Sequence, residues 1–107
     1  MDTNIGLFSW AVLFASVFVV PPAVAQEDKI SAGAAIYSTY CQTCHGDELV
    51  NTGGQSFDLR RLKADERPRF ENSVLNGRNQ MPPWKGVINA TQLDLLWNYI
   101  RANAYQK

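Results

Sequence analysis

The stretch Cys41-Gln42-Thr43-Cys44-His45 decides how the rest of this chain is read. Two cysteines separated by two residues, with a histidine directly after them, form the pattern to which a c-type haem is attached. Two thiols at that spacing can each add across one vinyl group of the same porphyrin, while the adjacent imidazole lies under the iron. Three other readings explain less. A thioredoxin-like redox pair belongs to a βαβ setting, and no alternating strand pattern of useful length occurs here. A zinc site needs four ligands, whereas the chain has two Cys, one His and no second cluster. A plain disulfide suits an exported protein but leaves the histidine unexplained.

Working outward from His45, a second iron ligand follows by elimination. His45 is the only histidine, so ligation by two histidines of one molecule is excluded. Of the two methionines, Met1 lies in an apolar leader, which leaves Met81. It stands 36 residues after His45 in a stretch that Pro82-Pro83 keep out of a helix. A methionine in a small core is otherwise ordinary filler.

Three helices are expected around these residues. Ile30, Gly33, Ala34, Ile36, Tyr37 and Tyr40 recur at helical spacing over about Lys29 to Tyr40. A second helix runs from about Pro68 to Asn76, with Phe70, Val74 and Leu75 on one face and Gly77 as its stop. A third runs from about Ala90 to Ala104 behind an Asn89/Gln92 capping box, with Leu93, Leu96, Trp97 and Ile100 as its stripe. Gly46 to Leu62 and Arg78 to Val87 read as irregular segments. Loops this long in so short a chain are expected only if they wrap something.

The first 25 residues differ from the rest. Ile5 to Val20 carries no charge and is followed by Pro21-Pro22 and Ala23-Val24-Ala25, the pattern of a secretory signal cleaved after Ala25. The leader has no Lys or Arg and its apolar run is long, so an uncleaved anchor is the alternative. The two prolines would interrupt a membrane helix where it leaves the bilayer. Residues 26–107 then form one domain with ten basic and nine acidic side chains. Near-neutrality gives no electrostatic reason to expect nucleic acid or an anionic membrane as partner. A domain this small normally needs a staple, and a covalent haem supplies one.

Taken together, the Cys-x-x-Cys-His string, the Met81 loop and the helix pair resemble the class I c-type cytochromes over Ile30 to Ala104. The resemblance implies an all-α fold, about three helices and long loops wrapped around one haem c. Its first and last helices cross, with Gly33 and Tyr37 matching Leu96 and Tyr99. It implies attachment through Cys41 and Cys44, and iron held by His45 and Met81 with no open site. The role implied is one-electron carrier rather than enzyme, monomeric and periplasmic. Many members place a Gly-Pro pair after the haem motif, whose carbonyl accepts from the ligand histidine; this chain has no proline between His45 and Pro68. A carbonyl within Ser56 to Leu59 is expected instead.

The strings Phe57-Asp58-Leu59-Arg60, Asn76-Gly77 and Met81-Pro82-Pro83-Trp84 are similar to small cytochromes that accompany pyrroloquinoline-quinone alcohol dehydrogenases. That likeness implies a quinoprotein donor and a terminal oxidase or another cytochrome as acceptor. The alternatives are a membrane-anchored cytochrome subunit of a larger oxidoreductase and a haem enzyme or gas-binding protein with a vacant sixth position. Leu59, Leu62, Phe70, Leu75 and Trp84 are expected to cover the haem. The basic set Arg60, Arg61, Lys63, Arg67 and Arg69 faces either an acidic partner or haem propionates, or else pairs locally with Asp58, Asp65 and Glu66.

Overall fold

The computed structural model describes residue 6 and residues 11–107. The rest of the expected signal, residues 1–5 and 7–10, lies outside the described residues. The fold is all-α: helices α1 (Pro22–Tyr40), α2 (Gln42–His45), α3 (Arg67–Asn76) and α4 (Ala90–Ala102), with 3-10 turns at Asp47–Leu49, Leu59–Arg61 and Ala64–Glu66. Among the described residues, β-structure is limited to two isolated bridges, Arg78 with Met81 and Lys85 with Ile88.

Helix α1 begins seven residues earlier than its apolar periodicity predicts. Pro22 sits in its first turn, where a missing N–H costs nothing. The next residues are solvent-exposed up to Lys29, so helix propensity (Ala23, Ala25, Gln26, Glu27) rather than apolar burial extends the helix there. From Ile30 onward the predicted stripe is used, with Gly33 and Tyr37 buried. Helix α4 starts where its sequence says. Asn89 Oδ1 accepts from Gln92 N–H at 2.8 Å, and Gln92 Oε1 accepts from Asn89 N–H at 2.9 Å. It stops at Ala102 rather than Ala104, because Asn103 leaves helical geometry and its side-chain amide donates to the Tyr99 carbonyl at 2.8 Å.

The two helices cross through a contact that tolerates no side chain. A Cβ placed on Gly33 would lie 2.0 Å from the Leu95 carbonyl oxygen and 2.8 Å from Tyr99 Cβ. Next to this point the Tyr37 and Tyr99 rings meet at 5.4 Å. Leu96 and Ile100 are each 1% exposed, and burying side chains of this kind contributes about 2 kcal/mol apiece.

Helix α3 closes the core from the other side, with Phe70 5.2 Å from Trp97 of α4 and Val74 buried beside it. Gly77 ends α3 at φ +75°, a conformation that costs glycine little. The chain then doubles back over the helix it has left. Trp84 N–H donates to the Val74 carbonyl at 2.8 Å and Lys85 N–H to the Leu75 carbonyl at 3.2 Å. A Cβ on Gly77 would meet the Met81 carbonyl oxygen at 2.6 Å, so the close return of this loop also depends on glycine.

Two substitutions test these contacts. Gly33→Ala is expected to lower unfolding free energy by about 2–3 kcal/mol in urea, as overpacking of a rigid contact does. Gly77→Ala is expected to cost about 1–3 kcal/mol, whereas Gly53→Ala, with nothing within 4 Å of its added Cβ, should stay within about 0.5 kcal/mol of the parent. Equal stability of all three variants would contradict both readings.

Candidate haem site

One helical turn carries the Cys-x-x-Cys-His string. Cys41 N–H closes α1 on the Tyr37 carbonyl at 2.8 Å, and the Cys41 carbonyl accepts from Cys44 N–H at 3.3 Å and His45 N–H at 3.0 Å. Positions 41, 44 and 45 therefore share one face, as i, i+3 and i+4 residues do. Gly46 terminates the turn at φ +92°, and a Cβ there would run into the Val50 carbonyl at 1.9 Å. The Tyr37 hydroxyl donates to the Gly46 carbonyl, tying the end of the turn to α1. Burial pushes that phenol above its usual range, so it remains a donor.

Both cysteines are free, Cys41 half-buried and Cys44 exposed. Burial, with Cys44 adding to it, pushes the Cys41 thiol up to about 11. A redox-active Cys-x-x-Cys pair has the opposite character, with a thiol pKa lowered toward neutrality.

His45 Nδ1 lies 3.0 Å from the Phe57 carbonyl oxygen. A carbonyl only accepts, so the proton belongs on Nδ1 and the lone pair on Nε2, in the form in which imidazole binds a metal. The carbonyl expected between Ser56 and Leu59 is thus that of Phe57. The intervening loop is folded by Asn51, whose Oδ1 accepts from Gly54 N–H at 3.1 Å and whose amide donates to the Ser56 carbonyl.

Met81 sits on a tight turn in which Arg78 and Met81 exchange backbone hydrogen bonds at 3.1 and 2.9 Å, with Asn79 at φ +53°. It is half-buried, and Tyr40, Cys41, Leu59, Leu75 and Trp84 join it as a partly covered apolar fringe on the core. Trp84 rests edge-on against Tyr40 at 5.2 Å. Leu62 and Phe70, also expected to cover a haem, are already closed off by protein at 4% exposure each. A flat apolar macrocycle fits such a fringe, since covering it removes apolar surface from water. The donor set fits as well: two free thiols, a histidine with Nε2 available and a thioether.

The basic set is largely paired within the chain. Arg60 meets Asp58 at 3.1 Å, Arg69 meets Glu66 at 3.2 Å, and Arg67 meets Glu71 at 2.7 Å and Asp94 at 3.0 Å. Asp65, expected as a partner, takes part in no ion pair among the described residues. Two residues at the C-terminal end escape sequence reasoning. Arg101 donates to the Leu62 carbonyl at 2.6 Å, and Tyr105 donates to Asp58 Oδ2 at 3.1 Å. Both contacts span about 40 positions or more, and nothing in the local sequence marks them.

Comparison with known proteins gives the family. A family model described as cytochrome C oxidase, cbb3-type, subunit III matches residues 28–100. Cytochrome c-555 of Methylococcus capsulatus is 31% identical over 107 residues, covering 95% of this chain and 85% of that protein. Cytochrome c6 of Rippkaea orientalis is 27% identical over 109 residues, covering 97% and 96%. Quinohemoprotein alcohol dehydrogenase ADH-IIG of Pseudomonas putida is 33% identical over 88 residues, which is 79% of this chain. The chain spans only 12% of that dehydrogenase and 13% of a second one, ADH IIB. No solved structure matches significantly. An all-α fold, a Cys-x-x-Cys-His turn and these relatives place the chain in the class I c-type cytochromes, the electron-transfer proteins whose cofactor is covalently attached haem c.

Proposed function

We propose that the chain is an exported monohaem carrier in which Cys41 and Cys44 would attach the haem and His45 and Met81 would both ligate its iron. The observation that carries this reading is the His45 ring, engaged through Nδ1 by the Phe57 carbonyl and without a hydrogen-bond partner at Nε2 among the described residues. The sequence contains no other histidine, and Met81 is the only methionine after Met1.

When bound, the haem supplies a one-electron ferric/ferrous couple. The residues decide what is done with it. The Cys41 and Cys44 thiols, as thioethers, prevent dissociation. The Phe57 carbonyl orients the His45 ring and raises its basicity. The Met81 thioether favours the reduced state relative to a second histidine. Held by both His45 and Met81, the iron would offer no position to substrate or gas, and the haem would supply outer-sphere electron transfer during brief docking. Such encounters use small interfaces steered by charge.

Export follows the reading of residues 1–25 as a cleaved signal and residues 26–107 as a monomeric periplasmic domain. In its support, side-chain hydrogen bonds to the rest of the fold begin, among the described residues, at Gln26, whose amide donates to Asn98 Oδ1 at 2.9 Å. Similarity to a segment of two quinohemoprotein alcohol dehydrogenases supports a quinoprotein dehydrogenase as donor; the acceptor proposed is a terminal oxidase. A second reading, an anchored cytochrome subunit of a larger oxidoreductase, is favoured by the family description and by the exposed apolar side chains from Val12 to Val20. No helix of the described residues is long and apolar enough to cross a membrane. N-terminal sequencing of the protein from its native host separates the two: a start at Gln26 supports the carrier, and retention of residues 1–25 supports the anchored subunit.

Met81→Ala tests the closed iron. The variant is expected to keep its covalent haem, to bind carbon monoxide readily when reduced and to have a lower midpoint potential. The parent should bind carbon monoxide poorly and show thioether-to-iron charge-transfer absorbance when oxidised. A variant with the parent's potential and spectrum would rule out ligation by Met81.

A further inference from the structure

The carbonyl that accepts from His45 is part of the peptide plane joining Phe57 to Asp58, so fixing Asp58 fixes the direction of that oxygen. Asp58 is held more tightly than a surface aspartate needs to be. Its Oδ1 accepts from Arg60 N–H at 3.0 Å and Arg60 Nε at 3.1 Å. Its Oδ2 accepts from Arg60 Nη2 at 3.3 Å and from Tyr105 Oη at 3.1 Å. Its own carbonyl accepts from Arg61 N–H at 3.0 Å.

Tyr105 lies beyond the end of α4, 47 positions away in sequence. Its N–H donates to the Arg60 carbonyl at 2.9 Å, and the Arg60 guanidinium lies 4.8 Å from the centre of its ring. Arg101 secures both sides of this contact. Nη1 donates to the Leu62 carbonyl at 2.6 Å, at the far end of the Leu59–Arg61 turn, and Nη2 donates to the Gln106 carbonyl at 2.7 Å, on the tail itself. One guanidinium therefore bridges the turn and the tail.

We infer that Asp58 and Tyr105 are positioning residues for the haem iron: the C-terminal tail clamps the Phe57–Asp58 peptide so that its carbonyl stays on His45 Nδ1. This rests on His45 being the axial ligand. A firmly held acceptor increases electron donation by the ring and stabilises the ferric state. Loosening the clamp weakens that hydrogen bond, and the balance moves toward the ferrous state. The tail thereby sets part of the reduction potential through the Phe57–Asp58 peptide.

The test uses the haem-loaded full protein and compares Tyr105→Ala, Tyr105→Phe and Asp58→Asn with the parent. Asn98→Ala serves as a control that removes α4 hydrogen bonds away from the clamp. Tyr105→Ala is expected to shift the ferric-to-ferrous ratio at fixed ambient potential about threefold toward ferrous, about 28 mV for a one-electron couple. Tyr105→Phe keeps the ring over Arg60 and should give a smaller shift of the same sign with no change in charge. In both variants, exchange of the His45 Nδ1 proton in the reduced protein, followed by NMR, is expected to quicken about tenfold. Asn98→Ala should change stability alone. If Tyr105→Ala and Tyr105→Phe lower the melting temperature while potential and proton exchange match the parent, the tail is structural and the inference fails. A parent without thioether-to-iron absorbance would overturn the ligation reading, and the positioning role with it. A parent with that absorbance and unmoved variants overturns the positioning role alone.

Discussion

The hydrogen bond from His45 Nδ1 to the Phe57 carbonyl, 3.0 Å long, is the interaction on which the rest of the molecule depends. It sets the tautomer of the only imidazole in the chain and puts the lone pair on Nε2. It also joins two segments that no helix connects: the turn ending α1 and the loop that runs from Asn51 to the Leu59–Arg61 turn. A small domain with few regular elements buries limited apolar surface. Correct placement of that loop relative to the Cys-x-x-Cys-His turn is therefore not something its core could impose alone.

Packing supplies the frame around this bond. The Gly33 crossing brings α1 and α4 close enough for backbone to meet side chain, which fixes where the last turn of α1 delivers Cys41. Tyr37, on the same face of α1, reaches down to the Gly46 carbonyl and holds the end of the Cys-x-x-Cys-His turn. On the other side, α3 and the loop that doubles back from Gly77 place Met81 on the fringe of the same core. Fold and candidate site are thus one construction: Cys41, whose N–H closes α1, opens the Cys-x-x-Cys-His turn, and Gly77, which ends α3, opens the loop that carries Met81.

What the sequence made legible follows from how local each signal is. The Asn89/Gln92 box rests on a short spacing and appears where expected; the Gly33 crossing, which the family resemblance implies, is present as well, whereas the short helix Gln42–His45 is not among the three helices expected. The start of α1 was missed because an exposed helix built on propensity leaves no apolar stripe to read. The partner of His45 could be narrowed to four residues but not chosen, because a backbone carbonyl carries no sequence signature. Arg67 found Glu71 and Asp94 rather than the nearby acids. One of these is a helical i+4 neighbour and the other lies on a different helix, so only the first was within reach of a local reading. The contacts of Arg101 and Tyr105 span about 40 positions or more and depend wholly on the tertiary fold.

The central claim is a closed iron between His45 and Met81. Met81 is the only methionine after Met1, so selenomethionine labelling puts one reporter at the proposed ligand. Selenium-edge X-ray absorption on the labelled, haem-loaded protein then reads the environment of that atom directly. An iron atom in the first non-carbon shell of selenium is the predicted result; a selenium surrounded by light atoms alone, in protein whose haem is fully attached, would contradict the account.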